Sequence, residues 1–253
     1  MDAWASALIT FVFVLAGAFL GMMLQRILPE HHLSAGSQEV VKLVAGLLAT
    51  LSALVLGLLI ASSKNTFDVL GDDFRHGAAE VIAVDRLLGQ YGPEAREARA
   101  HLKHYYSERI ARLFPERPGD AKAGGTLAED SALEAFQSDL RSLTPRTDAQ
   151  RAILKRVEDK SNSVLDARWL AFEQATSSTP PLFLAVLVSW LVMMFASFAL
   201  FSPRHGTALA ALFCGSLAVA TSIFLIEEMN DPLGGVIAIS SAPMRNALTV
   251  LGR

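Results

Sequence analysis

The sequence predicts an all-α polytopic membrane protein, with four transmembrane helices in two hairpins separated by a helical extramembrane segment. Three observations carry that expectation. Four apolar runs are each long enough to cross a bilayer, which takes about 20 predominantly apolar residues for a hydrocarbon core about 30 Å thick. The charge is confined to one block: 17 Lys/Arg and 19 Asp/Glu lie between Lys64 and Pro181, against 5 and 6 in the rest of the chain. Within that block the apolar residues recur at helical spacing, with no strand or hairpin signature. The averages alone (52% hydrophobic, 19% charged, mean hydropathy +0.37) fit neither a soluble domain nor a wholly buried bundle.

The first span is expected over about Ala3–Leu24, with no charge before Arg26. It is read as retained and not as a signal peptide. No basic n-region precedes it, its apolar stretch is too long, and Gly21-Met22-Met23-Leu24-Gln25 is a poor cleavage site. Residues 25 to 41, with Pro29 and Gly36, form a short connection, so 1–63 reads as a hairpin whose second span runs from Leu43 to Ala61. The second hairpin, 182–226, holds spans over Leu182–Phe201 and Thr207–Ile226, joined by the tight turn Ser202-Pro203-Arg204-His205-Gly206. Residues 227–253 follow as an acidic Pro/Gly turn and a tail.

The block 64–181 opens by continuing the second span. Phe67, Val69/Leu70, Phe74, Ala78, Val81/Ile82, Asp85 and Leu88 follow 3- and 4-residue steps until Gly89 and Tyr91-Gly92-Pro93. A helix from Val41 to Leu88 would be about 70 Å long at about 1.5 Å per residue, a stalk coupling the soluble part to the second span. Pro93 suits the start of a helix over Glu94–Leu113, and the Pro and Gly residues of 115–125 make a loop. Thr126-x-x-Glu129 and Thr147-x-x-Gln150 are capping-box patterns, opening helices to about Leu143 and towards Gln174.

Four spans place both termini and the central block on one side of the membrane. Arg and Lys near span ends favour the cytoplasm, and that side, with Lys64, Arg75 and Arg168, is assigned to it over the side with Arg26, Lys42 and Arg204. Interspersed charge of both signs argues against a nucleic-acid partner, which needs a basic stripe. The single Cys214 forms no intrachain disulfide.

Two segments carry candidate chemistry. In the second span Gly46, Thr50, Ala53 and Gly57 lie at steps of 4, 3 and 4 and share one face, with Leu43, Leu47, Leu54 and Leu58 elsewhere. Small residues there serve close helix packing, or, with Thr50 and Ser52, line a narrow apolar pore in an oligomer. No Asp, Glu, Lys, Arg or His falls inside any expected span, which counts against an ion-coupled pump and not against a passive channel. After the fourth span, Glu227, Glu228, Asn230 and Asp231 precede Pro232-Leu233-Gly234-Gly235. This is either a stop and turn at the interface or an oxygen-rich site for a cation such as Ca²⁺, with Glu227, Glu228 and Asp231 as ligands; no other cofactor is indicated. His101 and His104, beside Glu97 and Glu108, read as an ordinary packed or solvated face, and Arg75, Glu80, Asp85 and Arg86 are expected to pair between helices. With no catalytic motif, the chain is not read as an enzyme.

Paired spans around a helical segment, a Gly- and Leu-rich second span, and a last span leading into Asn230-Asp231-Pro232-Leu233-Gly234-Gly235 resemble the bestrophin-like bacterial membrane proteins. In bestrophins the corresponding turn reads Asn-Pro-Phe-Gly, followed by acidic residues near a calcium clasp, and the second span lines the pore neck. Here an Asp stands before the Pro, Leu replaces Phe, no acidic run follows and the aromatic neck residues are absent. The resemblance implies a homo-oligomeric channel for inorganic ions in a bacterial inner membrane, with a pentamer as the expected assembly. The competing expectation is a non-conducting scaffold or sensor whose helical domain binds a partner.

Overall fold

A computed structural model describes residues 3–29, 35–115, 127–161, 181–203 and 205–253. The described residues are helical, without strands. Among the described residues there are eight α-helices: α1 (Ala3–Ile27), α2 (Ala35–Tyr91), α3 (Arg96–Leu113), α4 (Leu127–Ser142), α5 (148–161), α6 (Pro181–Leu200), α7 (Gly206–Asn230) and α8 (Ala242–Val250). They fall into two compact units, one of residues 1–65 and 178–230, the other of 66–177 and 231–253. The helix expected towards Gln174, the Thr126 cap and Arg204 lie outside the described residues, wholly or in part.

The first unit holds the four helices that are long and apolar enough to cross a membrane, counting α2 by its N-terminal half. Two expected ends shift. α2 starts at Ala35, because nothing between Gly36 and the apolar run breaks a helix. α7 does not stop at Glu227: carboxylates end an apolar run, not a helix, and the chain stays helical to Asn230, two residues before Pro232.

α1 packs along both α6 and α7. Gly17 and Gly21 allow the closest approach, since a Cβ on Gly21 would lie 2.1 Å from the Ala196 carbonyl oxygen. Val14, Ala18, Leu187, Leu191, Phe195, Ala199, Ile223 and Ile226 fill the core between these helices. Trp4 packs on Phe224 and Phe11 edge-on against Phe213, both pairs joining α1 to α7.

The second unit is built on the C-terminal part of α2. That helix ends because Gly92 takes φ +131°, a conformation an L-residue rarely adopts, and Pro93 then opens a short 3₁₀ turn (Pro93–Ala95) into α3. The core runs from Leu70, Phe74, Val81, Val84 and Leu88 of α2, through Leu102, Tyr106 and Ile110 of α3, to Phe136 and Leu140 of α4. Burial pushes the Tyr106 phenol up to about 12. Thr147 caps α5 as its spacing predicts, accepting from the Gln150 N–H at 3.1 Å. The Gln150 side chain turns elsewhere, accepting from the Arg146 N–H and donating to the Tyr91 carbonyl.

α8, which sequence reading leaves as tail, packs on α3 and buries Met244 and Ala247, followed by Leu251. The C-terminal end of this segment is tied to α2 and α3. Asp85 is 1% exposed and accepts two bonds from Arg99, each 2.8 Å, and one from the Gly252 N–H at 3.2 Å.

Candidate pore-lining face and exit turn

α2 is the apolar helix least covered by its own chain. Only 11% of its most apolar stretch is buried, against 28%, 28% and 22% for α1, α6 and α7. At about 100° per residue, its span divides into three strips. Ala45 and Ser52 are buried, and Ala49, Leu56 and Leu59 pack with them towards the core of the first unit. The Ser52 hydroxyl is buried with no partner among the described residues.

Gly46, Thr50, Ala53 and Gly57 form the second strip, about a third of a turn round the helix, and all four are exposed. Nothing lies within 4 Å of a Cβ built on Gly46 or Gly57. Thr50 donates to the Gly46 carbonyl at 3.0 Å, so its hydroxyl is satisfied within the helix and keeps an accepting lone pair free. Leu43, Leu47, Leu54 and Leu58, beside it, are 60–70% exposed and make the third strip. Close packing inside one chain therefore belongs to the Ala45/Ser52 strip and to the glycines of α1, not to the face singled out in the sequence.

The acidic candidates are placed differently from one another. Glu227 and Asn230 are half-buried on the last turns of α7, and Glu228 is buried at 3% exposure. Asp231 is exposed beyond the helix end, where its Oδ1 accepts from the Gly234 N–H at 3.2 Å and its carbonyl from the Gly235 N–H. Asp231 thus closes its own turn, a use of Asp that competes with binding an ion. Among the described residues no three His, Cys, Asp or Glu side chains are grouped to hold a metal ion.

The remaining charged candidates sort by partner. His101 Nδ1 meets Asp139 Oδ2 at 2.6 Å, joining α3 to α4. Arg75 pairs with Asp72 on its own helix, whereas Asp85 reaches across to Arg99. That hydrogen bond holds Arg99 still more firmly protonated than a free guanidinium, and outweighs the opposing effect of burial. The Asp85–Arg99 pair was legible only as one charge among several, because its partner lies beyond a turn in the next helix.

A family model described as Bestrophin-like domain matches residues 11–244. Among solved structures, two variants of a bacterial bestrophin homologue from Klebsiella pneumoniae share the fold. One has a TM-score of 0.70 and 15% identity, covering 100% of this chain and 99% of its own. The other has a TM-score of 0.68 and 14% identity, covering 97% and 98%. A structure described as a membrane protein has a TM-score of 0.65 and 16% identity, covering 98% and 99%. No curated protein matches the sequence.

Proposed function

This chain belongs to the bestrophin-like family, and on that premise we propose that it is a homo-oligomeric, passive ion channel whose α2 helices line the conduction path. The observation that carries the reading is the uncovered Gly46, Thr50, Ala53 and Gly57 strip. An apolar helix with two open strips gains by assembly. The leucine strip supplies contact area to a neighbouring subunit or lipid, while the small strip keeps backbones apart from side-chain bulk and leaves room for a lumen. Thr50 is the one hydroxyl on that strip, and its free lone pair is the group a partly dehydrated ion would meet. No carboxylate, Lys or Arg interrupts the span, so transport runs downhill without a proton or ion relay. We place the protein in the bacterial inner membrane with its central helical segment and termini cytoplasmic, and take a pentamer as its assembly.

Purified protein in liposomes is expected to pass Cl⁻ or K⁺. A well-folded oligomer that conducts neither overturns the channel and leaves a scaffold or sensor. Thr50→Val keeps the shape and removes the hydroxyl. It should change flux by about two- to tenfold, the size of one hydrogen bond of about 0.5–1.5 kcal/mol. Unchanged flux with intact assembly would put the strip against a neighbouring subunit.

Calcium at the α7 exit is part of the same reading and rests on the chemistry of Glu227, Glu228 and Asp231. One chain gathers no three-ligand group among its described residues, so carbonyl oxygens, waters or a second subunit must complete the ion's shell of six to eight oxygens. Any Ca²⁺ effect on flux should disappear when Glu227, Glu228 and Asp231 become amides. A flux indifferent to Ca²⁺ in the unaltered protein removes the site.

A further inference from the structure

A cavity of about 480 Å³ lies at the end of α1 and the start of α7, within the first unit. Its volume falls in the range of about 300–1,000 Å³ usual for small-ligand sites. Its lining is divided by chemistry. Phe19, Met22 and Met23 of α1 and Leu209 of α7 supply apolar lining, and Arg26 at the end of α1 and His205 in the α6–α7 turn supply the polar lining. Gln25 donates to the Ser202 carbonyl at 3.4 Å, tying the last turn of α1 to the α6–α7 turn beside the cavity.

Arg26 has no carboxylate partner among the described residues, although it stands at the end of an apolar span. An arginine there reaches for the interface, where its charge meets the lipid headgroups. His205 adds a ring N–H in either tautomer. The apolar wall continues into residues that remain open: Phe19 is 55%, Met23 59% and Leu209 45% exposed. A cation at headgroup level above an open apolar wall matches a ligand with an anionic head and a hydrocarbon tail. A soluble anion would leave the Phe19–Met23 wall uncovered, and a zwitterionic lipid would bring its own cation towards Arg26.

We propose that this cavity is a site for one anionic phospholipid per chain, its phosphate bound by Arg26 and His205 and its acyl chain laid on Phe19, Met22, Met23 and Leu209. The site does not depend on conduction.

Native mass spectrometry of the detergent-purified full chain, titrated with phosphatidylglycerol or phosphatidylcholine, tests it. Phosphatidylglycerol should be retained, at one per chain, about fivefold more strongly than phosphatidylcholine, the size expected of one arginine at a membrane surface. Arg26→Gln should abolish that preference. Lys42→Gln, which removes a span-end cation that does not line the cavity, should keep it. Met23→Trp fills the apolar wall without touching charge and should weaken retention of both lipids. Equal retention of the two lipids, a preference that survives Arg26→Gln, or no retention by the intact oligomer overturns the site. So does competition by inorganic phosphate equal to that of the lipid, which would make the ligand a soluble anion.

Discussion

Gly21→Ala is expected to destabilise the first unit more than an alanine at any other described glycine of that unit, and Gly21→Val is expected to prevent it from folding. The new Cβ would sit 2.1 Å from the Ala196 carbonyl oxygen, 2.9 Å from its carbon and 3.0 Å from its Cα. All three are backbone atoms of α6, so no rotamer change relieves the clash. The helices must part along an interface that holds Val14, Ala18, Leu187, Leu191 and Ala199, each nearly inaccessible. Forcing a methylene into a well-packed core costs about 1–3 kcal/mol. This clash belongs at or above the top of that range, because separating the helices forfeits contacts along several turns. In a bilayer those contacts are not replaced by a hydrophobic driving force, since lipid tails are as apolar as leucine.

Gly17 supplies the graded comparison. Its added Cβ meets the Val192 Cγ1 at 2.8 Å and the Val192 carbonyl at 2.9 Å, so part of the obstacle is a movable side chain. Gly46→Ala and Gly57→Ala meet nothing within 4 Å and carry no steric cost within the chain. Thermal unfolding in detergent should therefore rank the alanine variants Gly21 worst, Gly17 next, and Gly46 and Gly57 close to the unaltered protein. A Gly21→Ala protein as stable as the parent would mean that α1 and α6 do not approach as described.

This ranking also marks what a sequence can and cannot carry. Four spans are legible because apolar length is a property of each segment by itself, and the end of α2 at Gly92 and the turn into α3 opened by Pro93 follow from local backbone chemistry. Which small residues touch another helix is not a local property. α2 carries two small strips offset by roughly one residue: Ala45 and Ser52 turn inward, while Gly46, Thr50, Ala53 and Gly57 stay open. Nothing in composition separates them, because only the position of α1, α6 and α7 decides. The glycines of α1, spaced four apart, were visible in the sequence, yet their partner, the backbone of α6 at Val192 and Ala196, was not. α8 escaped for a different reason. At nine residues it presents too few turns for a periodic signal, and its buried Met244, Ala247 and Leu251 gain meaning only against α3.

The second large effect belongs to Asp85 and Arg99, and its size depends on which partner is removed. The Asp85 carboxylate accepts from Arg99 Nε and from one terminal nitrogen, each at 2.8 Å, and from the Gly252 N–H at 3.2 Å. Arg99 in turn donates to the Arg253 carbonyl at 2.9 Å, and Lys103 to the Leu251 carbonyl at 3.0 Å. The pair therefore joins α2, α3 and the segment after α8 at one point. Removing one partner of a buried pair costs about 3–5 kcal/mol, chiefly because the other charge is left buried. The Asp85 side chain is 2% exposed and that of Arg99 21%, so the arginine can recover some hydration and the aspartate cannot.

Arg99→Ala should therefore destabilise more than Asp85→Ala, the second falling towards the lower end of that range. Arg99→Lys should recover little, because an ammonium cannot present the two parallel donors that Asp85 accepts. Both alanine variants should raise hydrogen exchange of residues 242–252, because Asp85→Ala removes the acceptor of the Gly252 N–H and Arg99→Ala the donor to the Arg253 carbonyl, while the exchange of α1 and α6 stays unchanged. The double variant Asp85→Ala/Arg99→Ala decides the matter. It leaves no buried charge unpaired, so it should be less damaged than the sum of the two single changes, and strict additivity would mean that the two groups do not act on each other at all.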